Sequence, residues 1–270
     1  MNTSTVAILG CAKNCMPFIH KSVHNMCIIG SMFKDYKIII FENDSSDGTD
    51  MFLQEIKQKQ TQVSIITHPY CKNKYRYRTW CIAYGRQRCA DALKSSGFNP
   101  DYVIVMDLDD VGARGNAQEV IQLMMHKNQF WDIAFPRPTY DLWALRFPGH
   151  TINFIESSHI LQKLYKTKPL NELQYELKLY NKYKLELREY INNKKNYDSN
   201  SLLSVYSSFN GIAIYKYEFF KKGTYSGKNL YYSRVPNPND RYLEECEHVN
   251  FHKSIGPCRR KIVSNAWFVR

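Results

Sequence analysis

The feature that most restricts how this chain can fold is a repeated unit: a short, β-branched apolar run, a polar turn, then a segment with helical apolar spacing. Thr5–Gly10 reads TVAILG, Tyr36–Phe41 YKIIIF, Val63–Thr67 VSIIT and Tyr102–Met106 YVIVM. Runs that are apolar at successive rather than alternate positions suit strands buried on both faces. Helices are expected over Cys11–Ile28, with Ile19, Val23, Met26 and Cys27 as its stripe, over the segment carrying Met51, Phe52 and Ile56, and over Thr79–Leu93. This βαβαβαβ order predicts an α/β fold on a doubly wound, mostly parallel sheet. Such sheets bind ligands at the carboxyl ends of their strands, and polar clusters follow Gly10, Phe41 and Met106 at those ends.

The fourth run empties into Asp107, Leu108, Asp109 and Asp110. Carboxylates crowded at the end of a core strand repel one another, and some take up protons unless a cation intervenes. Hard oxygen ligands of this kind suit Mg or Mn. A plain acidic turn would read the same way, because Asp is common in turns. After the second run come Glu42, Asn43, Asp44, Ser45, Ser46, Asp47, Gly48 and Thr49, hydrogen-bonding residues able to cap the next helix.

A chain of 270 residues can bury a full core, here expected as one domain over 1–270 with a helical insertion at 153–200. With 44% hydrophobic and 14% aromatic residues it is not a disordered segment. No apolar run reaches the roughly 18 residues of a membrane-spanning helix, and Met1–Thr5 is too short and polar to begin a secretory signal. A soluble, cytoplasmic protein is expected, with peripheral contact to a membrane surface left open. The eight cysteines form no CxxC pair and read as mostly reduced thiols, with oxidation of Cys11 to Cys15 or Cys246 to Cys258 left open.

The net charge of +12 admits nucleic acid, an anionic membrane surface or an anionic small substrate as partner. Its distribution narrows the choice. Between Cys71 and Ala90 stand Lys72, Lys74, Arg76, Arg78, Arg86 and Arg88 with no acid, just ahead of the acidic strand. That suits a phosphate-bearing ligand bridged to a metal. A second group, Lys178, Lys182, Lys184, Arg188, Lys194 and Lys195, is interleaved with glutamates and reads as a solvated helix face.

Further along, Asn116–Lys127 is expected as a helix and Trp131–Phe135 as a strand. Thr139–Phe147, TYDLWALRF, combines Asp141, Trp143 and Arg146, which suits a sugar because aromatic faces pack on its C–H faces; a secondary core with Asp141 capping a turn fits equally. Leu173, Leu177, Tyr180, Leu187 and Ile191 mark an amphipathic helix expected to pack on the main domain, with a lid, acceptor platform or dimer contact as alternatives. Leu202–Lys216 returns to strand character around Gly211, and Val235–Asp240 reads as an irregular loop. In Glu244–His252, a helix would put His248 and His252 on one face with Glu244 and Glu245 approaching it, whereas an extended segment would alternate Glu247 with His248. Either arrangement makes a candidate acid/base and metal site.

Several of these segments carry a resemblance: Ala12-Lys13-Asn14, Phe41–Thr49, Arg78 with Arg86-Gln87, Asp107–Asp110, Tyr140–Arg146, Phe209-Asn210-Gly211 and Cys246–Val249. In this order they resemble glycosyltransferases of the GT-A fold, the nucleotide-diphospho-sugar transferase superfamily. They are most similar to the group found in bacterial polysaccharide loci and large DNA viruses, and more distantly to fungal capsule mannosyltransferases and collagen galactosyltransferases. The resemblance implies a nucleotide-diphosphate sugar donor, a glycan or glycoconjugate acceptor, a divalent cation (Mn or Mg) and no nucleic acid partner. It places Glu42 and Asp44 at the nucleoside, Arg78 and Arg86 at the phosphates and Asp107 at the ribose or sugar, with Gly10, Asn14, Trp143 and Arg146 also expected among the nucleotide-sugar-binding residues. It gives Asp109 the metal, with Asp110 or His252, and Glu247 the role of general base, with Asp141 as its rival. Lys13, Gln87 and Asn210 depart from the pattern, which has Arg, Asn and a second Gly there. A Mg-dependent nucleotidyltransferase would use the same carboxylates without needing the YDLWALR segment. A basic nucleic-acid-binding module would bind in a salt-sensitive way and be indifferent to Asp109→Asn.

Overall fold

The structure is a computed structural model that describes residues 3–69, 74–75, 77–148, 174–228 and 244–268. In chain order the strands are β1 (Thr5–Ala12), β2 (Asp35–Glu42), β3 (Val63–Thr67), β4 (Tyr102–Asp107), β5 (Ile133–Phe135), β6 (Leu202–Ser204), β7 (Ile212–Lys216) and β8 (Arg260–Val263). The helices are α1 (Ile19–Ser31), α2 (Thr49–Lys59), α3 (Arg78–Ser95), α4 (Asp110–Arg114), α5 (Ala117–His126), α6 (Gln174–Asn192), α7 (Tyr217–Phe220) and α8 (Glu247–Ile255). Among the described residues the strands form one sheet in the order β3-β2-β1-β4-β7-β5-β8-β6. The first four pair in parallel, β7 runs antiparallel to both β4 and β5, β8 is parallel to β5, and β6 is antiparallel to β8. The sheet is therefore mostly parallel, in the manner of a GT-A-like α/β fold.

The continuous apolar runs explain the layering. In β1, Val6 and Ile8 enter one apolar cluster while Ala7 and Leu9 enter another; in β4, Ile104 and Met106 part from Val103 and Val105 in the same way. The first face is covered by α1, α2 and α5 through Ile19, Met26, Leu53 and Ile121, and the second by α3 and α8 through Ala90, Leu93 and Phe251. Each such side chain contributes about 1.5–3 kcal/mol when fully buried, so both faces of the strands favour cover.

The structure corrects some expected boundaries. The first helix does not begin at Cys11, because Cys11 pairs with Phe41 on one side and Asp107 on the other, so β1 continues to Ala12. Asn14 then takes a left-handed φ of 50°, Pro17 disfavours helical backbone at the residue before it, and α1 starts only at Ile19. In α2 the buried position is Leu53, flanked by Phe52 and Ile56, while Met51 falls on the opposite side and is 67% exposed. β5 begins at Ile133, not Trp131, whose indole is buried and donates to the Met124 carbonyl at 2.8 Å.

In α6, Leu187 and Ile191 are buried and Tyr190 stacks on Phe147 at 3.9 Å, so the last turns of this helix lie on the main domain. Residues 153–173 of the expected insertion and the 235–240 loop lie outside the described residues. Among the described residues no helix is long and apolar enough to cross a membrane, and the seven described cysteines are free thiols.

Candidate active site

The turns that follow β1 and β2 are tied together by short polar side chains. The Asn14 N–H donates to Ser45 Oγ at 3.1 Å and its Oδ1 accepts from the Ser46 N–H at 2.8 Å. Cys15 and Met16 donate backbone N–H groups to Thr49 Oγ1 and Asp47 Oδ2 at 2.9 and 2.8 Å. Glu42, buried at the end of β2, accepts from the Ser45 N–H at 3.1 Å, and Asp44 pairs with Lys13 at 3.7 Å. Asn14, Glu42 and Asp44 thus shape two turns that stand side by side.

A cleft of about 540 Å³ opens over these strand ends. Cys11, Ala12 and Lys13 line it from β1, Phe41 and Asn43 from β2, and Asp107, Leu108 and Asp109 from β4. Its remaining wall is Tyr75 and Tyr77 with Arg78, Cys81, Ile82 and Arg86 of α3. Gly10 lies beneath, where a Cβ would stand 2.8 Å from the Leu108 side chain.

α3 approaches the sheet closely because position 85 is glycine: a Cβ there would meet the Phe41 ring at 2.6 Å. The next residue, Arg86, consequently sits among the strand ends. Its Nη2 donates to Asp107 Oδ1 at 2.9 Å, its Nε donates to Glu247 Oε1 at 3.0 Å, and the guanidinium lies over the Phe209 ring at 5.0 Å. The third nitrogen, Nη1, is buried with no hydrogen-bond partner among the described residues. Burial works against the charge of Arg86, but Asp107 and Glu247 outweigh it and hold the proton more firmly than in free arginine. Arg86 thereby links the end of β4 to the first residue of α8, segments 140 positions apart.

The acids around Arg86 differ in state. Burial, helped by the charge of Asp109 and opposed by Arg86, pushes Asp107 up to about 6. Burial, then Asp107 and Glu247, pushes Asp141 up to about 7. Asp141 accepts from the Ala144 N–H at 3.3 Å and makes no ion pair among the described residues. Between them, Tyr140 donates its hydroxyl toward Asp107 Oδ2 at 3.4 Å, and burial beside Asp107 raises its phenol well above the ordinary value, so it stays a donor.

Four of the residues expected at the site do not line the cleft. His252 is fully buried, with Nδ1 2.8 Å from Ser207 Oγ and Nε2 3.0 Å from the Tyr215 hydroxyl, so neither ring nitrogen is left for a metal. Asp110 pairs with Arg114 at 3.7 Å on the exposed side of α4 and does not line the cleft. Arg146 donates to Glu245 at 2.9 Å and to the Trp143 and Leu145 carbonyls at 2.6 and 2.9 Å. It therefore braces its own loop, and Trp143 packs partly buried on the second apolar cluster, so neither reaches the cleft. The segment at 244–252 becomes helical from Glu247, and His248 stacks on Phe209 at 3.7 Å; burial and Arg86 keep it neutral.

A divalent ion was expected here. Among the described residues no group of three or more His, Cys, Asp or Glu side chains gathers to hold one. Asp109 caps α4 through one oxygen, accepting from the Val111 N–H at 3.1 Å, and lines the cleft beside Asp107. One or two carboxylates facing a phosphate-sized cleft fit Mg or Mn in the way these ions bind nucleotides, sharing the ion with substrate oxygens and water.

Asn210 explains one departure from the resembled pattern. It takes a φ of 59°, a region that Asn tolerates better than most residues, and Gly211 follows at 85°. Its Oδ1 accepts from the Thr139 and Tyr140 N–H groups at 2.8 and 3.2 Å, and its Nδ2 donates to the Arg137 carbonyl at 3.0 Å. This clamp fixes the segment bearing Tyr140 and Asp141. Asn210→Ala should lower stability by about 1–3 kcal/mol through the buried groups left unpaired, read as a shifted urea midpoint with unchanged slope. Sequence reasoning overlooked Tyr75, Tyr77 and Tyr140; the alternation of aromatic and basic residues in KYRYR was the visible signal for the first two.

The fold is similar to that of S. aureus TarS 1–349, with a TM-score of 0.51 at 9% identity over 98% of this chain and 59% of that one. TarS 1–349 in complex with UDP gives 0.53 at 9% over 98% and 59%, and in complex with UDP-GlcNAc 0.50 at 11% over 99% and 57%. This chain therefore spans about 59% of the length of the structures it matches. No curated protein sequence matches it significantly. The sequence model described as Glycosyl transferase family 2 matches residues 8–223, which takes in the first four strands, the cleft, Arg86, Asp107, Asp141 and the Asn210 clamp. The chain belongs to glycosyl transferase family 2.

Proposed function

We propose that the cleft holds a nucleoside-diphosphate sugar and that the protein transfers the sugar, with inversion, to a hydroxyl of a glycan or glycoconjugate. One observation carries this: a buried arginine with an unpartnered nitrogen lines the same cleft as two carboxylates at a strand end. A cation and an acid pair side by side suit a diphosphate bound together with a divalent ion. Tyr75, Tyr77 and Asn43 offer aromatic faces and an amide for the nucleobase, and Arg78 and Arg86 take the phosphates. The UDP and UDP-GlcNAc complexes of TarS make UDP the first nucleotide to try.

In the transfer, the acceptor oxygen attacks the anomeric carbon while the bond from that carbon to the phosphate oxygen breaks, and the electron pair leaves with the nucleoside diphosphate. Asp141 takes the hydroxyl proton. Its carboxyl near 7 suits a base working at neutral pH, whereas Glu247 is already committed to Arg86. Arg86 offsets charge growing on the leaving diphosphate, and Tyr140 steadies Asp107. A bound Mn or Mg, held by Asp109 beside Asp107, would add to that neutralisation.

The test is thermal. UDP with Mn should raise the melting temperature by several degrees, as expected for about 2.7 kcal/mol at a ligand concentration a hundredfold above Kd, and Asp109→Ala should remove the dependence on Mn. No shift with UDP, GDP or other nucleoside diphosphates would sink the proposal.

A further inference from the structure

A second cavity, of about 850 Å³, lies along α8 and shares no lining residue with the nucleotide cleft. One wall is Val249, Asn250 and Lys253 of α8; the floor is Ser204 to Ser207 with the start of β8; the third side is Phe147 and Pro148. Five cations line it, Arg146, Lys253, Arg259, Arg260 and Lys261, against a single carboxylate, Glu245. Arg259 and Lys261 also pair with Asp132 and Asp198, at 2.6 and 3.1 Å, which fixes their heads. Tyr206 stands 59% exposed in the same wall, and Arg260 Nε is buried without a partner.

The groove's near end adjoins the segments that carry Asp141 and Glu247. Arg146 and Glu245 close its near end with their 2.9 Å pair, Glu245 lies two positions before Glu247, and the charge of Asp141 acts on Arg146. We propose that this groove seats the acceptor and that the acceptor is an acidic glycan, a chain bearing carboxylate, phosphate or sulfate groups. The inference rests on the transferase function proposed above and adds the acceptor's chemical class. Exposed Tyr206 offers a face for sugar C–H groups, and the lining cations meet the acidic substituents. A concave, cation-lined channel receives a threaded chain better than it meets a flat bilayer.

Fluorescence polarisation with labelled oligogalacturonate, a polycarboxylate, against neutral maltohexaose tests this. The acidic chain should bind about tenfold or more tighter than the neutral one, and weaken as salt rises from about 50 to 300 mM. Lys253→Glu and Tyr206→Ala should each weaken it about tenfold while the UDP and Mn melting shift is unchanged, which also shows that the variants fold. Equal binding of both sugars, or indifference to Lys253→Glu, overturns the proposal. So does binding that these substitutions affect only with phosphatidylglycerol vesicles. An intact nucleotide shift without glycan binding removes the groove assignment alone, whereas loss of any nucleotide shift in the wild-type protein removes the transferase reading beneath it.

Discussion

Arg86→Ala should abolish sugar transfer and lower folding stability by about 3–5 kcal/mol, the usual cost of removing one member of a buried ion network. The side chain is 7% exposed and bridges two carboxylates, Asp107 at 2.9 Å and Glu247 at 3.0 Å. Without it both acids lose their shared cation, and Asp107, already raised by burial, loses the partner that restrains it. Arg86→Lys keeps a charge but not a planar fork able to reach both acids, so it should recover part of the stability and little activity. Asp107→Asn added to Arg86→Ala should restore some stability by removing one unpaired charge, yet leave transfer absent. Urea unfolding and release of UDP from a UDP-sugar measure the two effects separately. Wild-type stability in Arg86→Ala would contradict the bridge.

Asp141→Asn should reduce kcat by about 10²–10⁴, the range for loss of a general base, while leaving nucleotide binding intact. The wild-type rate should rise with pH through about 7 as the carboxyl ionises, and this limb should vanish in the Asn variant. If Glu247→Gln removes the limb and Asp141→Asn does not, Glu247 is the base. Stability moves the other way. The folded-state value of Asp141 is raised from 3.8 to about 7, so between these values the folded protein binds more protons than the unfolded chain. The stabilisation is fully present below about pH 3.8 and is lost as pH rises through 7, with Asp107 acting in the same direction up to about 6. At pH 8 Asp141→Asn should therefore melt at a higher temperature than wild type, by on the order of 1–2 kcal/mol, and the gap should close toward pH 4.

A carboxylate held above its ordinary pKa beside Asp107 and Glu247 strains the folded state and readies it for proton transfer. The same crowding that costs stability at neutral pH would, on the proposed mechanism, make Asp141 a base at neutral pH, a common trade between stability and activity.

How far the sequence reaches can be read from particular elements. The four apolar runs from TVAILG to YVIVM named their strands and the parallel half of the sheet, because burial on both faces demands apolar residues at every position. The polar residues after them fell at the carboxyl ends, where β1, β2 and β4 stand side by side in register and Gly10 meets Met106. β7, inserted antiparallel between β4 and β5, was not legible, because Ile212–Lys216 has the same apolar composition whichever way it runs.

The candidate site divides along the same line. Residue type and local spacing alone put Asp107 and Asp109 at a strand end and Arg86 on the helix before it, and left Glu244–His252 open between a helix and an extended segment. Only the tertiary structure decided that Arg86 binds Asp107 and Glu247 at once, that His252 spends both nitrogens on Ser207 and Tyr215, and that Arg146 answers Glu245. Backbone preference and burial act over a few residues and are written locally, whereas hydrogen-bond partners 21 to 161 positions apart are chosen by packing, which no short stretch of sequence contains.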